Sequence, residues 1–453
     1  MGGTGAVEII PLGDLKNARE GLLGHARTIQ EAARWLEEKG YHAASIYFSV
    51  LCLEEASRHH VMSACEGDGR GVTGEDLRDL YDHRKKLARF LDGAVPAARP
   101  AGGRPASPGA ELPACEEMAD VLVRAKECAV YFDFGGGSMK TLEALLGAEA
   151  TKRASGLLLS VVEHGISAIL PPGSVAQGSR GERGQDPQAG VRAALAELMA
   201  TLGELEAGTA CGADVRIPRG HLDTVLFCLE DHLGDMAKIT HELHAEGHAS
   251  AAVHMGVMTI EEGSKHYLLA RCRWEGRDVL RGDMREMRNH REKLAAFFRH
   301  VARALGKSNI DGETGRFVVL DPDMLTSLHD VKKLAIHFVR MAGETMTLDA
   351  MLGSSMRNLS DYVNETAQWI ISWMIMNDGD VGDPYARHDP NPVHLERYER
   401  FGRFIDNPEN VAQYHGWSKM TKLLKGLNDA AQGHDAAGCK AALAAIREYG
   451  MWD

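Results

Sequence analysis

Two stretches of the chain decide its fold: WLEEKGYHAASIYFSVLCLEEASRHHVMSACEGDGRGVTGEDLRDLYDHRKKLARFL, residues 35–91, and ELHAEGHASAAVHMGVMTIEEGSKHYLLARCRWEGRDVLRGDMREMRNHREKLAAFF, residues 242–298. They align at a constant offset of 207 without a gap, and 20 of 57 positions are identical. Shared helical composition does not produce that level of ungapped identity, so the chain reads as a tandem duplication. The matched positions are chemically specific. Gly40 matches Gly247, Glu54 and Glu55 match Glu261 and Glu262, Ser57 matches Ser264 and His59 matches His266. Arg78 matches Arg285, His83-Arg84 match His290-Arg291, and Lys86-Leu87-Ala88 match Lys293-Leu294-Ala295.

The sequence around both stretches is helical. Apolar residues recur at helical spacing from Asp14 to Lys39 (Leu15, Ala18, Leu22, Ala26, Ile29, Ala33, Leu36) and stop at Gly40. Tyr41–Cys65 predicts a second, more buried helix, and a third begins near Glu75 and carries an Arg-His pair. Further helices are expected over Glu111–Phe134 and Ala148–Leu170. The second copy repeats the order over His221–Gly247, His248–Cys272, Asp283–Ala304, Asp323–Arg340 and Leu348–Met376. This predicts an all-α protein with a first helical domain over 1–170 and a second over 191–378. Residues 171–190, rich in Gly, Pro, Arg and Gln, predict a flexible linker. Val191–Glu206 predicts a helix without a counterpart in the first copy, and 379–453 a helical C-terminal extension.

Bulk composition narrows the class. At 453 residues the chain exceeds what one core organises, and 44% hydrophobic with 25% charged residues is ordinary for a globular protein. The net charge of −13 argues against a protein coated in nucleic acid but leaves room for a local basic cleft. Met1 to Pro11 shows no basic segment followed by an apolar run, so no signal peptide is expected. Trp369–Met376 is too short to span a bilayer, so no membrane partner is expected. Eight scattered cysteines without a Cys-x-x-Cys pair suit reduced thiols and a cytoplasmic protein.

Each copy carries Arg-x4-His with a polar residue after the arginine: Arg78-Asp79 leading to His83, and Arg285-Glu286 leading to His290. A third match, Arg216 to His221, contains Pro218 and lies outside the repeat. Imidazole exchanges protons near neutral pH, and a guanidinium offers a donor fork that fits phosphate oxygens. RNA brings its own nucleophile, the 2′-hydroxyl, so such a pair needs no metal. On one continuous helix, residues five apart lie about 140° from each other, so a single motif makes a poor site. Two motifs sharing one groove would supply two arginines and two histidines. Both lie in basic islands: seven basic and three acidic residues over Arg78–Arg104, ten and five over Arg271–Arg303.

These residues resemble the HEPN superfamily (higher eukaryotes and prokaryotes nucleotide-binding). The similarity rests on Gly40-x3-Ala44-x9-Glu54-Glu55-x-Ser57-Arg58-His59, then Arg78-x4-His83-Arg84-x-Lys86-Leu87, and on their counterparts in the second copy. The AbiV-like abortive-infection branch is the most similar, also through Lys126 and Tyr131-Phe132-Asp133-Phe134. The resemblance covers about 14–170 and 221–376, and implies antiparallel helical bundles that pair through their Arg-His helices. In a duplicated chain that means a pseudo-twofold intramolecular dimer, with further homo-oligomerisation open. It implies a metal-independent endoribonuclease of phage defence or a toxin-like system. Arg78, His83, Arg285 and His290 would then be catalytic, with Asp79, Glu286, Glu55 and Glu262 in support. Arg84, Lys86, Arg291 and Lys293 would contact RNA. No cofactor or metal is implied; the expected partners are RNA and a phage-encoded trigger or regulatory protein. The chain departs from the branch in being doubled, and in having His337-Phe338-Val339-Arg340 where the first copy has Tyr131 to Phe134.

Other readings compete. A non-catalytic module could bind a phage or host protein and block translation. Glu54, Glu55 and His59, with Glu261, Glu262 and His266, could form a di-metal bundle site, but the usual spacing there is Glu-x-x-His. A buried polar network is the simpler reading of those residues. Asp133-Phe134-Gly135 lacks the partners of a kinase motif, and Gly135–Thr141 has Met139 where a phosphate loop needs glycine.

Overall fold

Gly40 and Gly247 stop two helices in the same way. In the computed structural model both have positive φ, +83° and +85°. Tyr41 N–H donates to Leu36 C=O and Gly40 N–H to Glu37 C=O; His248 and Gly247 repeat this on Leu243 and His244. Such paired bonds satisfy the last carbonyls of a helix and need a left-handed residue that only glycine adopts cheaply.

The structure describes residues 8–79, 82–94, 112–130, 133–135, 138–169, 187–202, 217–295, 297, 322–336, 339–341, 344–377, 419–430 and 435–449. Among the described residues, it is all-α apart from three two-stranded ribbons. The chain divides into two compact units, one mainly of the first 210 residues and the other mainly of the remainder.

In the first unit, β1 (Glu8–Ile10) leads into α1 (Leu15–Glu38) and α2 (His42–Gly67). Then come β2 (Val72–Thr73), α3 (Gly74–Asp79), α4 (His83–Ala94) and α5 (Cys115–Val130), after which the chain forms β3 (Asp133–Gly135) and β4 (Ser138–Lys140). The unit continues with α6 (Leu142–Leu146), α7 (Ala148–Ile169) and α8 (Pro187–Leu202). β1 and β2 pair antiparallel with Ile10 opposite Val72. Helix α2 is the centre: α1, α4, α5 and α7 all pack on it. Apolar residues recur on all its sides, as a surrounded helix requires, with Ile46, Phe48, Val50, Leu53 and Ala56 all buried.

The second unit repeats these elements. It has α9 (Leu222–Ala245), α10 (Ala249–Trp274), α11 (Arg281–Arg288), α12 (290–295) and α13 (Pro322–Ile336), after which the chain forms β5 (Val339–Met341) and β6 (Glu344–Met346). α14 (Leu348–Leu352), α15 (Ser355–Asn377), α16 (419–430) and α17 (Ala436–Tyr449) follow. The bounds of α9 and α10 are those of α1 and α2 moved by 207, and Ile217 bridges Val279 where Ile10 faces Val72. From α5 onward the offset is 206: Thr141 caps α6 through Ala144 N–H, and Thr347 caps α14 through Ala350 N–H. Helix α10 is the buried centre, packed by α9, α13 and α15.

The structure departs from the sequence expectations at several points. The helix expected to run through each Arg-His motif is broken just before the histidine. Asn289 is extended (φ −86°, ψ 103°), so α11 ends at Arg288 and a new helix starts at His290. The 140° separation on one helix therefore does not apply to this motif. Helix α5 stops at Val130, with Asp133 already in a strand. Helix α8 starts at Pro187, inside the expected linker, and packs on α7 in the first unit, whereas 191 onward was expected in the second domain. Tyr131, Phe132, His337 and Phe338 lie outside the described residues, as do 170–186 and 378–418. Among the described residues, no helix is long and apolar enough to cross a membrane.

Replacing Gly40 or Gly247 by Ala forces a Cβ into the left-handed region. Each single change is expected to cost about 1 kcal/mol in urea denaturation. A cost near zero at both positions would show that these turns are not held as described.

Candidate functional site

Each motif histidine opens a helix. In the first unit Asp82 Oδ1 accepts from Arg84 N–H at 2.9 Å and from Lys85 N–H at 3.3 Å. In the second, Asn289 Oδ1 accepts from Glu292 N–H at 3.3 Å. These are N-caps, and they place His83 and His290 on the first helical residue. From there each imidazole reaches the central helix of its own unit.

In the first unit, His83 Nδ1 lies 2.6 Å from Glu54 Oε2. Lys126 Nζ donates to Glu54 Oε1 at 2.5 Å, and Lys86 Nζ lies 3.6 Å from Oε2. Lys126 Nζ is also 3.1 Å from His83 Nδ1. The shorter contact decides the tautomer: an ionised carboxylate only accepts, so Nδ1 carries the hydrogen and donates to Glu54. Glu54 is fully buried while the His83 side chain is 46% exposed, so a dry carboxylate holds an imidazole that solvent reaches.

In the second unit, His290 Nδ1 lies 2.8 Å from Glu261 Oε2, and Lys332 Nζ donates to the same oxygen at 2.6 Å. A second imidazole joins: His329 Nδ1 is 2.9 Å from Oε1, and its ring stacks on His290 with centroids 5.2 Å apart. Glu261 is fully buried, the His290 side chain is 34% exposed, and His329 is nearly buried.

The charges explain why burial is tolerated. Desolvation alone would raise the Glu54 carboxyl. Lys126, the bond from His83 and Lys86 outweigh it and hold Glu54 well below the usual carboxylate range. Glu261 is held low in the same way by Lys332, His290 and His329. Burial lowers His290 and His329, opposed by their bonds to Glu261. Burial also pushes Lys86 and Lys293 down to about 8.

The structure places the other expected site residues as follows. Arg285 is exposed on α11, and Glu286 accepts from Arg271 at 3.1 Å. Arg78 and Asp79 belong to α3, but their side chains lie outside the described residues. Glu55 and Glu262 were expected to support the histidines, but His83 and His290 bond to Glu54 and Glu261, the residues before them. Neighbours on a helix point about 100° apart, so only one of each pair can face the histidine. Glu55 instead accepts from Arg58 at 3.2 Å, and Glu262 from Lys265 at 2.7 Å. Lys86 and Lys293, expected to contact RNA, are 1% and 0% exposed, and buried ammonium groups cannot meet a phosphate backbone. Arg84 pairs with Asp120, and Arg291 with buried Asp330 at 2.8 Å. His59 is buried, and its Nδ1 has no hydrogen-bond partner; His266 Nε2 lies 3.2 Å from Glu230.

Sequence reasoning missed the two lysines as glutamate partners, and it missed His329. Lys126 had been noted only for its family resemblance. Its match to Lys332 needs the shift from 207 to 206, which an ungapped comparison cannot follow.

In comparisons with known proteins, no family model, no curated protein and no solved structure matches the chain.

Removing Glu54 or Glu261 would strand buried ammonium charge. Glu54→Ala is expected to cost about 3–5 kcal/mol in urea denaturation. Arg285→Ala, at an exposed site, should stay within about 0.5 kcal/mol. Acid should destabilise the protein in two stages. Burial, with Arg19 and His60 nearby, lowers His59 from 6.5 to about 4, so its contribution is complete above pH 6.5 and fades as pH falls toward 4. The two glutamates contribute above their ordinary value of 4.5 and lose that contribution at lower pH still. His59→Gln should flatten the first stage in a pH series of melting curves; an unchanged slope would contradict the assignment.

Proposed function

We propose that this chain is a metal-independent endoribonuclease of a phage-defence or toxin-like system, built from two HEPN-like helical bundles and acting through both Arg-x4-His motifs. One observation carries the reading. In each unit the motif histidine bonds through Nδ1 to a fully buried glutamate that a buried lysine neutralises. A carboxylate behind Nδ1 fixes the ring orientation and makes Nε2 the basic nitrogen, as general acid–base catalysis requires.

In this reading one imidazole takes the proton of the 2′-hydroxyl, whose oxygen attacks the adjacent phosphorus. The other imidazole, protonated, gives its proton to the departing 5′-oxygen. The products are a 2′,3′-cyclic phosphate and a 5′-hydroxyl, so atoms and charge balance without a metal. Arg78 and Arg285 would hold the non-bridging oxygens of the phosphate. Harm to the host would be restrained by a regulatory partner or released by a phage trigger, in the cytoplasm.

A second reading, a non-catalytic module that binds a phage or host protein and blocks translation, is favoured by one observation. Much of the expected basic surface is already committed: Lys86 and Lys293 are buried, and Arg84 and Arg291 are paired with aspartates.

Incubating the full chain with RNA in the presence of a chelator separates the two. Wild type is expected to cleave, leaving cyclic phosphate ends. The double variant His83→Ala, His290→Ala should be slower by at least about 100-fold. Equal cleavage by both, or growth arrest that survives the double substitution, would refute the nuclease reading.

A further inference from the structure

Glu261, His290 and His329 come from three different helices, α10, α12 and α13. Each offers one donor atom, and the three atoms lie within 4.8 Å of one another. We propose that they form a binding site for a first-row divalent cation, zinc above all, in the second unit alone.

The donor chemistry fits. Two imidazole nitrogens and one carboxylate oxygen are a common catalytic zinc set, which leaves a further position for water. Borderline nitrogen donors select transition ions over magnesium or calcium. Glu261 and His329 are buried, whereas His290 is partly exposed and gives the site its open side. The stacked rings already converge on one carboxylate, so both imidazoles stand beside it before an ion arrives.

The first unit is an internal control. It has the same glutamate, histidine and lysine in Glu54, His83 and Lys126. At the 206 offset of its fifth helix, His329 corresponds to Val123, which offers no ligand. The glutamate–histidine–lysine arrangement is therefore complete without the third donor, and His329 is an addition to it. Lys332 is the internal competitor. Its ammonium sits 2.6 Å from Glu261 Oε2 and does the work a cation would do. A bound divalent ion must displace it from that oxygen, which tempers the affinity.

This inference stands apart from the nuclease reading. An ion on His290 would take no part in the cleavage step and would silence that imidazole as a base, so chelation should not slow cleavage.

The test is calorimetric titration of the chelator-stripped full chain with Zn2+, with Co2+ visible absorption as a second signal. Wild type should bind one ion per chain at micromolar or better affinity. His329→Val, which copies the first unit, should weaken binding by at least about 100-fold, while His329→Cys keeps a ligand and retains it. Lys332→Met should tighten binding by about tenfold by removing the competing charge. Absence of the site in wild type, equal affinity in His329→Val, or weaker binding in Lys332→Met would each overturn the proposal. If His329→Val fails to fold, His329→Cys and Lys332→Met decide. None of these measurements uses RNA, so an inactive nuclease would leave the outcome intact.

Discussion

A carboxylate buried in the middle of each central helix organises each unit. Glu54 and Glu261 are fully out of water, a position that costs several kcal/mol per ion unless opposite charge accompanies it. The compensation comes from elsewhere in the bundle: a lysine on α5 or α13 and an imidazole at the start of α4 or α12. One charge therefore fixes the register of three helices. A hydrophobic residue of similar volume could fill the space, but it would leave the lysine stranded and the imidazole unanchored. The interaction that makes the packing specific is also the one that holds an imidazole where solvent meets it.

This coupling bears on the chemistry. A histidine on an exposed helix end would ordinarily sample many rotamers and both tautomers. Here the carboxylate selects one nitrogen for the hydrogen and one orientation of the ring, and the lysine behind it keeps the carboxylate ionised. The helix break matters as much. Asp82 and Asn289 cap a new helix, which turns the imidazole toward the bundle instead of leaving it on the face set by the preceding arginine.

Much of the fold was legible because the repeat is gapless where it is most informative. Gly40 and Gly247 mark the helix ends through a backbone conformation that few residues adopt, and the bounds of the first two helices follow at one offset. The site was legible only in part. His83 and His290 stood out, but periodicity does not show a capping residue such as Asn289, so the break before each was missed. Glu54 and Glu55 cannot be told apart as letters, because only their angle around the helix says which meets the imidazole. Lys86 and Lys293 read as surface charge in a basic run, although the same run must also supply the buried counter-charges. His329 lay beyond the one-residue change of offset, where direct comparison of the copies no longer aligned it with anything.

The two copies differ where such a network permits it. The glutamate and its lysine are mutually obligate: either alone is an uncompensated buried charge, so both units keep the pair. The neighbouring slots carry no such debt. The first unit has Arg58 on Glu55 where the second has Lys265 on Glu262. Lys86 leans toward Glu54, whereas Lys293, its match, lies 3.7 Å from Glu262. Where the second unit has His329, the matching residue of the first is Val123, which changes the number of nitrogen donors on offer to the carboxylate without disturbing its neutralisation. A duplicated bundle of this kind holds its charge pair constant and varies its rim, so the two histidines can share an anchor and still differ in what they bind.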